Sequence, residues 1–152
     1  LKNYIDVTDY LSENYNIASV MVGGRSKYEL SQSKELESQT KVYNFVGKTS
    51  LDELYNIIKY SELYIGPDSG TLHIASMLKK PVIGLYATSN PERTGPIANM
   101  DYVINKYPEA IKKFEKLDVN KVRWGQRVRN KNAMDLISVQ EVIKKIDKIL
   151  KL

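Results

Sequence analysis

Short apolar runs recur along the chain, separated by polar or amphipathic stretches. Residues 17–22 (IASVMV) end at Gly23-Gly24, residues 42–46 (VYNFV) end at Gly47, and residues 63–65 (LYI) end at Gly66-Pro67. Residues 81–86 (PVIGLY) follow, and residues 102–104 (YVI) form a weaker fifth run. Runs this short, closed by glycine or proline, suit buried strands better than helices. Between the second and third runs, Leu51, Leu54, Tyr55 and Ile58 fall at the i, i+3, i+4, i+7 spacing of one helical face. Ser50-Leu51-Asp52-Glu53 is a capping box for that helix. A second box, Ser138-Val139-Gln140-Glu141, opens a closing helix over residues 138–151, with Val139, Val142, Ile143, Ile146, Ile149 and Leu150 as its stripe. Strands alternating with helices at these spacings predict an α/β fold, a Rossmann-like parallel sheet flanked by helices and joined by right-handed crossovers.

In open parallel sheets, ligands bind beyond the carboxyl ends of the strands. The loops expected there are Gly23-Gly24-Arg25-Ser26, Gly47-Lys48-Thr49-Ser50, Pro67-Asp68-Ser69-Gly70 and Ala87-Thr88-Ser89-Asn90, all on one sheet edge.

Length and composition narrow the picture. A chain of 152 residues with 42% hydrophobic residues predicts a single compact domain. No apolar run approaches the roughly 20 residues that cross a bilayer, so a soluble, cytoplasmic protein is expected. The absence of cysteine excludes disulfides and thiolate sites, and one histidine excludes a polyhistidine metal centre. The chain opens on Leu1 and reads at once as helix entry, as a piece of a longer protein would. Its net charge of +5 is unevenly spread. From Lys106 to Lys131, nine Lys/Arg face Glu109, Glu115 and Asp118, a local +6. This basic crossover segment, residues 105–131, can meet phosphates or an anionic membrane surface, or it can simply be solvated. No aromatic-basic stacking pattern or named nucleic-acid motif accompanies the charge, so nucleic acid is not an expected partner.

The third loop carries the most specific chemistry. A helix N-terminus exposes unpaired N–H groups and a positive dipole end. Gly70 lets a phosphate approach that backbone, and Ser69 and Thr71 add hydroxyls. His73, one turn further in, can reach the same anion. Asp68 repels phosphate and so suits a sugar hydroxyl or a Mg²⁺ carried by a diphosphate. Arg25 and Lys48 can add positive charge from neighbouring strand ends. The proline-bracketed loop Asn90-Pro91-Glu92-Arg93-Thr94-Gly95-Pro96 can bring Arg93 and Thr94 to the same edge. A purely structural reading stays open beside this one. In it Asp68 or Ser69 caps a helix, Gly70 is a packing glycine, His73 is a satisfied imidazole, and Thr49 or Ser50 only caps the next helix.

The whole pattern resembles glycosyltransferase family 9, the heptosyltransferases. The residues that carry the resemblance are Ile65-Gly66-Pro67-Asp68-Ser69-Gly70-Thr71-Leu72-His73-Ile74-Ala75, a lysine-proline step, a buried strand, and Asn90-Pro91 through Thr94-Gly95-Pro96. The strand ending in Gly23-Gly24, the step from Val46-Gly47-Lys48-Thr49 into the next helix, and the closing helix match as well. The resemblance implies the C-terminal, donor-binding half of a GT-B transferase, with the N-terminal acceptor domain absent from this chain. It implies a nucleotide-sugar donor of the ADP-heptose type and a lipopolysaccharide or other lipid-linked saccharide acceptor at the inner face of the cytoplasmic membrane. It places Asp68, Ser69, Gly70 and His73 against the donor's sugar and diphosphate, and Lys48 and Thr49 beside the nucleoside. The reaction it implies inverts the anomeric centre and needs no cofactor, with Mg²⁺ as an optional companion of the diphosphate. The carboxylate base falls in the other half, so this chain is expected to bind donor but not to transfer. Many members carry an acidic residue soon after the double glycine; this chain has Lys27 there, with Glu29 nearby. A non-catalytic nucleotide-binding or interaction domain of the same fold is the alternative, and another GT-B nucleotide-sugar enzyme such as an epimerase is a more distant one.

Overall fold

The computed structural model describes residues 1–151, which divide into two compact units, Leu1–Ile57 and the described residues from Ile58 onward. In the first unit, α1 (Lys2–Tyr15), β1 (Ser19–Met21), α2 (Lys27–Glu37) and β2 (Val42–Asn44) follow one another. β1 and β2 pair in parallel, with Ser19 opposite Val42 and Met21 opposite Asn44. Asn16, in the left-handed conformation at φ 54°, stops α1. Asparagine tolerates this conformation better than most residues. Ser26 caps α2 by accepting from the Glu29 N–H. The division between the units falls inside α3 (Leu51–Lys59).

The second unit holds β3 (Tyr64–Pro67), α4 (Gly70–Met77), β4 (Val82–Tyr86), α5 (Pro91–Thr94), β5 (Ile104–Asn105), α6 (Tyr107–Ala110) and α7 (Val139–Leu150). Its strands run parallel in the order β3-β4-β5, with Tyr64 opposite Val82 and Leu85 opposite Ile104. Central β4 is buried along its whole length, and both α4 and α7 pack on it. A strand covered in this way reads as a continuous apolar run, as Val82-Ile83-Gly84-Leu85-Tyr86 does.

The predicted α/β class and parallel pairing agree with these ladders. Both capping boxes form: the Ser50 and Ser138 hydroxyls accept from the Glu53 and Glu141 N–H groups, and each glutamate carboxylate accepts in return from the serine backbone. Burial departs from expectation in three places. On β1 and β2, Val20 and its register partner Tyr43 are exposed, so these strands alternate rather than being buried throughout. On α3, Ile58 is buried while Leu51 and Tyr55 are exposed, and on α7 only Val142 and Ile146 of the stripe are fully buried. The basic segment is more than solvated chain. It folds into α6, a π-helical turn over Ile111–Glu115 and a 3₁₀ turn over Val119–Lys121, and sinks Tyr107, Ala110, Ile111 and Val128 into the core. Among the described residues, no helix is long and apolar enough to cross a membrane.

Candidate functional site

The β3–α4 turn is built by its own hydroxyls. Ser69 is extended (φ −155°, ψ 163°) and caps α4, its Oγ accepting weakly from the Leu72 N–H at 3.4 Å. Thr71 Oγ1 lies 2.9 Å from Ser69 Oγ and 2.6 Å from the Tyr64 hydroxyl, which fixes both side chains. The capping role foreseen for Ser69 is therefore real. The packing role foreseen for Gly70 is not: a Cβ there would find no atom within 4 Å. Gly70 and Thr71 occupy the first two positions of α4, whose N–H groups have no intrahelical acceptor. The helix start combines open space, unpaired donors and a positive dipole end.

Asp68 sits beside it with a side chain only 10% exposed. Its Oδ2 accepts from Thr94 Oγ1 at 3.0 Å and from Arg127 Nη2 at 3.1 Å, and its Oδ1 faces His73 Nε2 at 3.6 Å. Thr94 reaches Asp68 because α5 is held at both ends. Asn90 Oδ1 accepts from the Glu92 N–H at its start, and the buried Tyr86 hydroxyl donates to Thr94 O at 2.7 Å. Gly95 completes the loop by necessity, since a Cβ there would lie 2.4 Å from Pro91 O and 2.6 Å from Met100 Sδ. Burial, with the Asp68 charge as a second cause, pushes the Tyr86 hydroxyl up to about 12, so it stays a donor at neutral pH. His73 is 45% exposed in its side chain and one turn into α4, as expected. The Arg93 guanidinium lies against Gly125, two residues before Arg127.

In the first unit, the two candidate loops also meet one another. The Gly47 N–H donates to Gly23 O at 3.1 Å, and Arg25 Nε donates to Gly47 O at 3.2 Å. Glu29 turns back on the double glycine, accepting from the Gly24 N–H at 3.0 Å and from the Ser26 hydroxyl at 2.5 Å. The Ser26 hydroxyl and then the Gly24 N–H hold its carboxyl below the ordinary range. Lys48 Nζ donates to Asn44 O at 2.8 Å, so its ammonium is engaged with its own strand. Thr49 is half-buried in the turn before α3.

Arg127 is the residue that sequence reasoning missed. It lies 59 residues from Asp68 in a segment legible only as charge. No spacing rule links the two; only the fold does. Among the described residues, no three His, Asp or Glu side chains gather in a metal-holding group.

Comparison with known proteins places the chain in a family. The model of glycosyltransferase family 9 (heptosyltransferase) matches residues 1–123. The lipopolysaccharide core heptosyltransferase OpsX of Haemophilus influenzae is 32% identical over 98% of this chain and 43% of its own length. Lipopolysaccharide heptosyltransferase 2 of Escherichia coli is 29% identical over 62% of the chain and 28% of its own. In fold, a family 9 glycosyltransferase of Veillonella parvula superposes with a TM-score of 0.73 at 24% identity, over 99% of this chain and 41% of that one. The E. coli ADP-heptose LPS heptosyltransferase II superposes with a TM-score of 0.69 at 21% identity, over 98% and 40%. The chain thus spans about two fifths of the length of such relatives and corresponds to their C-terminal part. With the D-S-G-x-x-H turn and the T-G-P loop joined through Asp68 and Thr94, and with the family match running through both, this chain belongs to glycosyltransferase family 9, the heptosyltransferases.

Proposed function

We propose that this chain is the donor-binding part of an inverting glycosyltransferase that moves a heptose-like sugar from a nucleoside diphosphate to a lipopolysaccharide or other lipid-linked acceptor. The observation that carries the reading is the immobilised Asp68 carboxylate beside an open helix start. The N–H groups of Gly70 and Thr71 receive the diphosphate, the His73 imidazole assists, and Asp68 accepts from sugar hydroxyls. In the reaction an acceptor oxygen attacks the anomeric carbon, the carbon–oxygen bond to the diphosphate breaks, and its electron pair leaves on the phosphate oxygen. N–H donors aimed at that oxygen are worth most as its charge develops. The acceptor's proton goes to a carboxylate of the full-length protein other than Asp68, whose Oδ2 already accepts from Thr94 and Arg127. A Mg²⁺ would ride mainly on the diphosphate, since Asp68 Oδ2 already accepts from two donors. The Lys48 ammonium spends one of its three donors on Asn44 O. The exposed cations of the basic segment, with Trp124 exposed among them, suit peripheral contact with an anionic membrane at the acceptor's surface.

The test uses the full-length protein with ADP-heptose and a heptose-deficient lipopolysaccharide acceptor, following glycosylated product and its anomeric configuration. Inverted product from wild type and a large loss in Asp68→Asn are expected. A protein that folds yet neither transfers nor gains thermal stability from millimolar ADP-heptose refutes the reading, because a ligand bound that weakly leaves almost no stabilisation by mass action.

A further inference from the structure

Arg127 lies beyond residues 1–123, the stretch matched by the family model, yet its guanidinium reaches the least exposed carboxylate of the candidate site. The backbone that delivers it is pinned on both sides. The Tyr107 hydroxyl donates to Gln126 O at 2.7 Å, and the Val128 N–H donates to Thr88 O at 3.0 Å. Tyr107 and Val128 are each 2% exposed, so both pins are rooted in the core. Just upstream, Gly125 turns the chain at φ +87°, a conformation that few other residues adopt. The segment is therefore a strap fastened over the end of β4, with Arg127 between its fastenings.

An ion pair whose arginine is 52% exposed contributes little to stability. Its geometric effect is larger. Arg127 and Thr94 both donate to Oδ2, which leaves Oδ1, on the His73 side, as the oxygen with free acceptor capacity. We propose that Arg127 is a positioning residue of the donor site: together with Thr94 it saturates Asp68 Oδ2 and so presents Oδ1 to a hydroxyl of the donor sugar. This rests on the donor-site reading above, and it adds the strap to the machinery of sugar recognition.

A positioning role predicts a loss that depends on the sugar. In the full-length protein, Arg127→Ala is expected to weaken ADP-heptose binding about tenfold by titration calorimetry, while ADP binding changes by less than about twofold. Arg127→Lys should recover part of the loss, and Arg129→Ala, which removes an exposed charge two residues further along the strap, should change neither ligand. Equal losses for ADP-heptose and ADP would overturn the proposal and assign the guanidinium to the diphosphate. An unchanged ADP-heptose affinity would overturn it as well. If Arg127→Ala loses its fold by circular dichroism, Thr94→Val tests the same oxygen: a sugar-selective loss supports the proposal, and a uniform one sinks it. Failure of wild type to bind ADP-heptose would instead remove the donor-site reading itself. Binding that is lost in Asp68→Asn but kept in Arg127→Ala removes the positioning role alone.

Discussion

Replacing Gly70 with alanine separates the two roles of the α4 start. The new methyl would meet nothing within 4 Å, and Ser69 would still cap the helix. Glycine loses more backbone entropy on folding than alanine, so the substitution should stabilise the fold by about 0.4–1 kcal/mol. For a protein of this size that corresponds to a rise in Tm of roughly 1–4 °C. Binding should move the other way. An anion held by the Gly70 and Thr71 N–H groups approaches to about 3 Å, and the methyl stands in that approach. Loss of one charge-assisted hydrogen bond of about 1.5–3 kcal/mol corresponds to a roughly 10- to 150-fold weaker Kd for ADP-heptose. Thermal denaturation without ligand and calorimetric titration with ADP-heptose measure the two effects separately. A variant that is more stable yet nearly blind to the donor is expected. An unchanged Kd would refute the anion cradle, and a clear fall in Tm would refute the open geometry at Gly70.

Other outcomes follow from the second unit. Tyr86→Phe removes the donor to Thr94 O inside a fully buried ring pocket, and should cost about 1–2 kcal/mol in urea denaturation. The same variant tests a pH effect. Tyr86 keeps its proton to about 12 when folded, whereas an unfolded tyrosine releases it near 10. The folded state thus binds more protons in that window, so stability falls as pH rises from about 10 towards 12, and Tyr86→Phe should remove that part of the slope. Ser89 Oγ is buried without a hydrogen-bond partner, so Ser89→Ala should leave Tm unchanged or raise it; a loss above about 1 kcal/mol would reveal a hidden partner. Glu141 gives an acid-side test. Burial raises its pKa, but Lys106 and the Ser138 cap outweigh this and hold it below the ordinary value. Its contribution is present above the unfolded-state pKa and lost as pH falls through the folded one, so Glu141→Gln should flatten the acid limb of stability against pH.

Much of the second unit was legible because its determinants are local. Ser69 and Ser138 cap helices from positions fixed by the neighbouring sequence, and β4 reads as a strand because five successive positions are buried. The family motif was legible for the same reason, since its residues cluster in two short loops. Exposure was less readable. Val20, Tyr43 and Leu51 are apolar and exposed, because periodicity assigns a residue to a face but does not say what covers that face. Charge misled in the basic segment: among its many cations, Lys106 is spent on Glu109 and Glu141 and Arg127 on Asp68, while Tyr107 and Val128 root the same stretch in the core.

The α/β class, the helix starts, and Asp68, Ser69, Gly70 and His73 as candidate chemistry were readable along the chain, because each depends on residues within a few positions of one another. Which oxygen of Asp68 is occupied, and by which donors, was set by the fold. Thr94 and Arg127 are 26 and 59 residues away, and hydrogen-bond geometry between such distant residues is set by how β3, β4 and the strap pack, not by any spacing along the chain.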